Sequence, residues 1–179
     1  MLDANVIILL HERGLWSQIK AAFEVCVPSI IAREASYFID EHRQRQRIDL
    51  LGEIARGELT ELTAALVEIA ALVERFDADL LEGLHAGEQE AIALISSGTF
   101  ASGSFCTGDN VPMEALAALA LDGRLVSLEK VLVHAGCALP HGQPLEKQYT
   151  QSFLDGALKR GRQRRITGQG LRKNLWDGL

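Results

Sequence analysis

The chain has 179 residues, 47% of them hydrophobic and 23% charged, which fits one globular domain with a sizeable core and a short appendage. Its apolar runs fall far short of the roughly 18 residues that cross a bilayer, and no N-terminal segment has the order of a signal peptide. A cytoplasmic protein with no membrane partner is therefore expected. Three widely spaced cysteines, Cys26, Cys106 and Cys137, argue against a disulfide framework, and no Cys/His spacing matches a zinc site.

Leu2 to Leu10 reads as a clipped strand running into a short helix. Only Met1 and Leu2 precede Asp3, so this strand is brief or continues upstream. Gly14 breaks the pattern, and Leu15 to Phe23 resumes a helical one. Glu24 to Val27 is a short strand ended by Pro28, after which Ser29 to Phe38 has helix-start signals. The polar stretch DEHRQRQRID at residues 40–49 fits an exposed helix or a loop. Gly57 to Leu62 is a second short strand, followed by helices over Ala64–Phe76 and Ala86–Ile95.

Gly98 to Gly103 links into a strand at Ser104–Thr107, then a helix at Val111–Leu121, a strand at Arg124–Leu128 and a helix at Glu129–His134. Short strands alternating with helices predict an α/β fold, three layers (α/β/α) around a mostly parallel sheet. Pro140, Gly142 and Pro144 mark a linker before a helix over Leu145–Arg165 with a basic end. Residues 1–139 are thus the main domain, and 140–179 a linker, helix and basic tail.

Four acids, Asp3, Glu34, Glu88 and Asp109, sit where apolar segments meet helices, in LDANVIILL, VPSIIAREASYF, AGEQEAIALI and FCTGDNVPMEALAAL. Such junctions lie at the carboxyl edge of a parallel sheet, where open α/β folds place their sites. Carboxylates converging there raise one another's pKa unless a cation lies between them. Hard oxygen donors suit Mg²⁺ or Mn²⁺. Three of the acids also have a plain structural role available: Asp3 and Asp109 as helix N-caps, Glu88 in the first turn of its helix. Glu34, in an otherwise apolar helical face, is harder to explain structurally. Glu90, two residues on, reads as a solvated neighbour that could replace Glu88.

In order, these segments resemble a PIN domain over about residues 1–135. The resemblance implies a metal-dependent endoribonuclease of the kind found in bacterial toxin–antitoxin pairs, with an antitoxin partner and a homodimer. It makes Asp3, Glu34, Glu88 and Asp109 the catalytic metal ligands, with Asn5 and Thr107 in support. A catalytically silent PIN-like binding or regulatory module is the alternative. A phosphotransferase would want an Asp-x-Asp pair, and Asn5 stands at its second place. No GxxxxGK[ST] loop points to an ATPase.

The net charge of −6 divides unevenly. Of 18 Lys/Arg and 24 Asp/Glu, seven and one lie in residues 159–179, leaving 11 and 23 in an acidic body. RNA approaching an acidic site needs cations elsewhere. The candidates are Arg43, Arg45 and Arg47, and in the tail Lys159, Arg160, Arg162, Arg164 and Arg165, although both stretches also read as solvated surface.

Overall fold

A computed structural model describes residues 1–139 and 144–172. The linker residues Pro140 and Gly142, and the tail from Lys173 onward, lie outside the described residues. Helix α1 (Ala4–Glu12) begins directly after Asp3, and α2 (Trp16–Ala22) follows the break at Gly14. Strand β1 (Cys26–Pro28) runs into α3 (Ser29–Glu34), then β2 (Tyr37–Ile39), β3 (Arg45–Arg47), α4 (Leu50–Ala55) and β4 (Thr60–Leu62). Helices α5 (Leu66–Val73), α6 (Ala78–Glu82), α7 (Ala86–Ser97), α8 (Asn110–Ala118), α9 (Leu128–His134) and α10 (Gln151–Thr167) complete the order. None of the described helices is long and apolar enough to cross a membrane.

The chain is mixed α/β, as expected, but its sheet is small. β1 pairs with β4 in parallel, Cys26 opposite Thr60 and Pro28 opposite Leu62. Beyond that pair, parallel contact is reduced to single bridges, Leu2 with Cys106 and Phe105 with Leu125, with Leu2 N donating to Cys26 O at 3.3 Å. The reason is local. α1 starts at Ala4, two residues past Leu2, so helical backbone ends the Leu2–Cys106 ladder after one residue pair. Residues 124–128, expected as a strand, instead follow a 3₁₀ turn at Asp122–Arg124 and keep a single bridge at Leu125.

Successive residues of these extended pieces face opposite ways, as a strand requires. Leu2, Val27 and Cys106 join one core cluster with Val6, Ile7, Leu10 and Leu128. Met1 and Phe105 join another with Leu72, Phe76, Ile92 and Leu116.

The helix expected over Ser29–Phe38 stops at Glu34, where buried Ala35 takes φ −74°, ψ 69°. The DEHRQRQRID stretch, expected as helix or loop, forms the turn and second strand of an antiparallel hairpin, with Tyr37 opposite Arg47 and Ile39 opposite Arg45. Asp40 closes it by accepting from His42 N, Gln44 N and Gln46 Nε2. Arg43 adopts a left-handed φ of 59° at the tip.

α10 lies along α8, burying Leu154, Ala157 and Met113 between them. At Gly161 a Cβ would stand 2.5 Å from both Glu114 O and Ala117 Cβ, so the close approach needs a glycine. Gly161→Val is expected to destabilise the protein by about 1–3 kcal/mol through overpacking. Gly156→Ala, whose Cβ would meet only Arg160 Nη1 at 3.5 Å, is expected to stabilise by about 0.5–1 kcal/mol. Urea denaturation of both variants checks the pair.

Candidate metal centre

Asp3 and Asp109 occupy the N-cap positions of α1 and α8, yet neither side chain makes a capping hydrogen bond. Both carboxylates turn instead toward Glu88 in the first turn of α7. One oxygen from each of Asp3, Glu88 and Asp109 lies within 4.8 Å of the others. Asp3 is 4% exposed and Glu88 3%, while Asp109 is half-buried. The two elements that carry the aspartates are locked to each other, because Asp3 N donates to Cys106 O at 3.0 Å.

The supporting groups fix these carboxylates. Fully buried Thr107 donates its hydroxyl to Asp3 Oδ2 at 3.3 Å and accepts from Asp109 N at 3.1 Å. Asn5 Nδ2 donates to Asp109 Oδ2 at 3.2 Å. Glu88 Oε2 accepts from His85 N at 2.8 Å. Its other oxygen, Oε1, is buried with no hydrogen-bond partner. A buried acceptor left unpaired costs about 1–3 kcal/mol, more when charged.

Burial dominates the electrostatics. It pushes the Asp3 carboxyl up to about 6, with the charges of Asp109 and Glu34 adding to the rise and the Ala4 N–H and Thr107 hydroxyl opposing it. Glu88 is pushed up to about 8, again by burial first, then by Asp3 and Asp109 and against the His85 N–H. Of the ion pairs among the described residues, only that of exposed His85 with Glu88, at 3.6 Å, involves these acids. Three carboxyl groups crowded at a largely buried site, one oxygen of them without a hydrogen-bond partner, fit a hard divalent cation.

Glu34 stands apart. It ends α3, is exposed, and lies outside the three-acid group. Its Oε2 is 3.0 Å from where a Cβ on Gly87 would sit, and Ile31 Cγ1 is 2.6 Å from the same point. Gly87 is thus what lets α3 and α7 touch at the rim of the site.

Glu90 is buried rather than solvated. It accepts from Ser29 Oγ at 2.7 Å, Ile30 N at 2.8 Å and Ala64 N at 3.3 Å, tying the start of α3 to the segment after β4. It is therefore spoken for structurally. Tyr149 was not foreseen in the sequence: its ring occupies the space over Gly108, 2.6 Å from a Cβ placed there. Burial, with Glu146, Asp109 and Asp3 nearby, pushes its phenol up to about 12. A lone aromatic in a polar run (EKQYTQ) was the only available signal.

The basic candidates divide into two kinds. Arg160 pairs with Glu114 at 2.6 Å and donates to Asn110 Oδ1, Arg164 pairs with Glu114 at 2.7 Å, and Arg162 pairs with Asp122. Lys159 is exposed and Arg165 half-buried on the same helix. Arg43, Arg45 and Arg47 lie exposed on the hairpin.

A cavity of about 690 Å³ opens at the other end of these extended segments, lined by Met1, Val25, Cys26, Ser104 and Phe100. None of the three acids lines it, so the site is assigned on its chemistry and not on concavity. No protein-family model matches the chain, and neither the curated proteins nor the solved structures searched give a match.

Proposed function

We propose that the chain is a divalent-metal-dependent ribonuclease, hydrolysing RNA phosphodiester bonds with Mg²⁺ or Mn²⁺ held by Asp3, Glu88 and Asp109. The observation that carries the reading is Glu88 Oε1, buried without a partner against two further carboxylates. A bound divalent ion would lower the pKa of a coordinated water and neutralise charge developing on the phosphate. Asp3 and Glu88 would release protons as the cation arrives, so binding tightens with rising pH. Thr107 holds the Asp3 carboxylate, and Asn5 orients that of Asp109. Glu34 acts from the rim as the fourth acid, its charge already felt at Asp3.

The resemblance to PIN domains belongs to this proposal. It is supported by parallel bridges on either side of the Asp3 segment and by strand residues that alternate between two core clusters. The implied homodimer and antitoxin partner rest on the resemblance. Leu66 and Val67 of α5, 88% and 73% exposed, offer an apolar face for such contacts. One observation favours the second reading, a silent PIN-like binding module: the fourth acid, Glu34, is outside the cluster.

Cleavage of mixed unstructured and structured RNA with Mg²⁺, Mn²⁺ or EDTA separates the two. Hydrolysis that needs metal supports the nuclease. Folded protein that binds Mn²⁺ but leaves RNA intact favours the module or a very narrow substrate.

A further inference from the structure

The hairpin of β2 and β3 has two faces of different character. Phe38 turns inward, its ring 5.6 Å from that of His11 on α1. Tyr37, Ile39, Arg45 and Arg47 are all exposed, and their register puts Tyr37 opposite Arg47 and Ile39 opposite Arg45. The Arg45 guanidinium lies over the Tyr37 ring, 3.6 Å from its centroid. Arg43 projects from the tip.

Among the described residues, none of Arg43, Arg45 and Arg47 makes an ion pair, whereas Arg160, Arg162 and Arg164 each do. Three of the five basic candidates on α10 are thus engaged inside the fold, whereas the hairpin keeps all three of its guanidinium groups clear of ion pairs. The base of the hairpin lies near the rim acid: β2 begins three residues after Glu34, while Phe38 packs on His11 in the last turn of α1.

The Arg45–Tyr37 stack, flanked by the two further guanidinium groups of Arg43 and Arg47, has the makings of a single-strand nucleic-acid surface. Guanidinium planes and aromatic rings accept unpaired bases face to face, and flanking arginines meet phosphates. A duplex keeps its bases stacked internally and cannot use the Arg–Tyr platform.

We infer that the outer face of the β2–β3 hairpin is a docking site for single-stranded RNA beside the metal centre, an unpaired base stacking on Arg45 and Tyr37 while Arg43 and Arg47 contact phosphates. This rests on the ribonuclease reading for its choice of RNA. It adds a requirement for unpaired sequence flanking the cut, set by a part of the chain that holds no metal.

Binding of a fluorescein-labelled oligouridylate, followed by anisotropy in EDTA with the Asp3→Asn protein, isolates docking from cleavage. Tyr37→Ala and Arg45→Ala are each expected to weaken binding about tenfold, and Tyr37→Phe to retain it. Arg45→Lys, which keeps the charge but loses the plane, should weaken binding as well. Arg47→Ala should lower the salt dependence by about 0.7 in the log–log slope, and Arg162→Ala should change nothing. Hairpin variants that bind like the parent overturn the inference, as does duplex RNA or polyglutamate competing as well as oligouridylate. Oligouridylate binding that depends on the hairpin, in a protein whose unmutated form cuts no RNA, would sink the nuclease reading and leave the docking surface standing.

Discussion

In metal-free protein above pH 8, Glu88→Gln is expected to be more stable than the wild type, and in excess Mn²⁺ the order is expected to reverse. The Glu88 carboxyl is raised to about 8 in the folded chain from a reference value of 4.5. Between those values the folded state holds a proton that the unfolded state has released, so wild-type stability falls as pH rises through that window. Asp3 contributes in the same direction between 3.8 and about 6. Glutamine keeps the shape of the neutral carboxyl and does not titrate, so the variant escapes the Glu88 part of the loss, on the order of a few kcal/mol. Mn²⁺ at about 100 times its Kd stabilises the wild type by about 2.7 kcal/mol, and the variant, short of one anionic donor, gains far less. Thermal melts from pH 5 to 9, with and without Mn²⁺, show the crossing. A variant less stable than the wild type at every pH, with the same Mn²⁺ response, would contradict the assignment.

Asp3→Asn is expected to reduce metal-dependent RNA cleavage by on the order of 10²–10³-fold, the scale of losing one preorganised electrostatic contact at a reacting centre. The fold should survive, because Asn keeps an oxygen to accept from Thr107 and the backbone bond from position 3 to Cys106 is untouched. Asp109→Asn should behave alike. Glu34→Gln should cost less, about tenfold, since its exposed carboxylate stands outside the three-acid group. Initial cleavage rates at saturating Mg²⁺ rank the four acids. Loss of activity at Glu34 as deep as at Asp3 would mean that the cluster closes around all four.

The placement of Asp3 and Asp109 was legible because each ends a short apolar run and opens a helix, and both ends are marked in the sequence. Glu88 against Glu90 was not. Two residues on a helix are about 200° apart, so one faces the acids and the other faces α3, and only the packing of α3 on α7 decides which. The hairpin was invisible for a related reason. RQR alternates burial as exposed, half-buried, exposed, and with Gln as its only inward residue it carries no hydrophobic period. The expected sheet was overdrawn because α1 begins two residues past its bridge at Leu2 and α8 four past that at Cys106, boundaries that apolar runs alone do not fix. The engagement of Arg160, Arg162 and Arg164 depended on Glu114 and Asp122, some forty to fifty residues away, and a local charge count cannot see that.

Calorimetric titration of Mn²⁺ into the wild type, Asp3→Asn and Glu88→Gln at pH 8 addresses the three-carboxylate centre most directly. Saturable binding to the wild type, with proton release and with affinity lost in both variants, is the expected result. Wild-type protein that takes up no Mn²⁺, or variants that bind it as tightly as the wild type, would show that Asp3, Glu88 and Asp109 do not form a metal site.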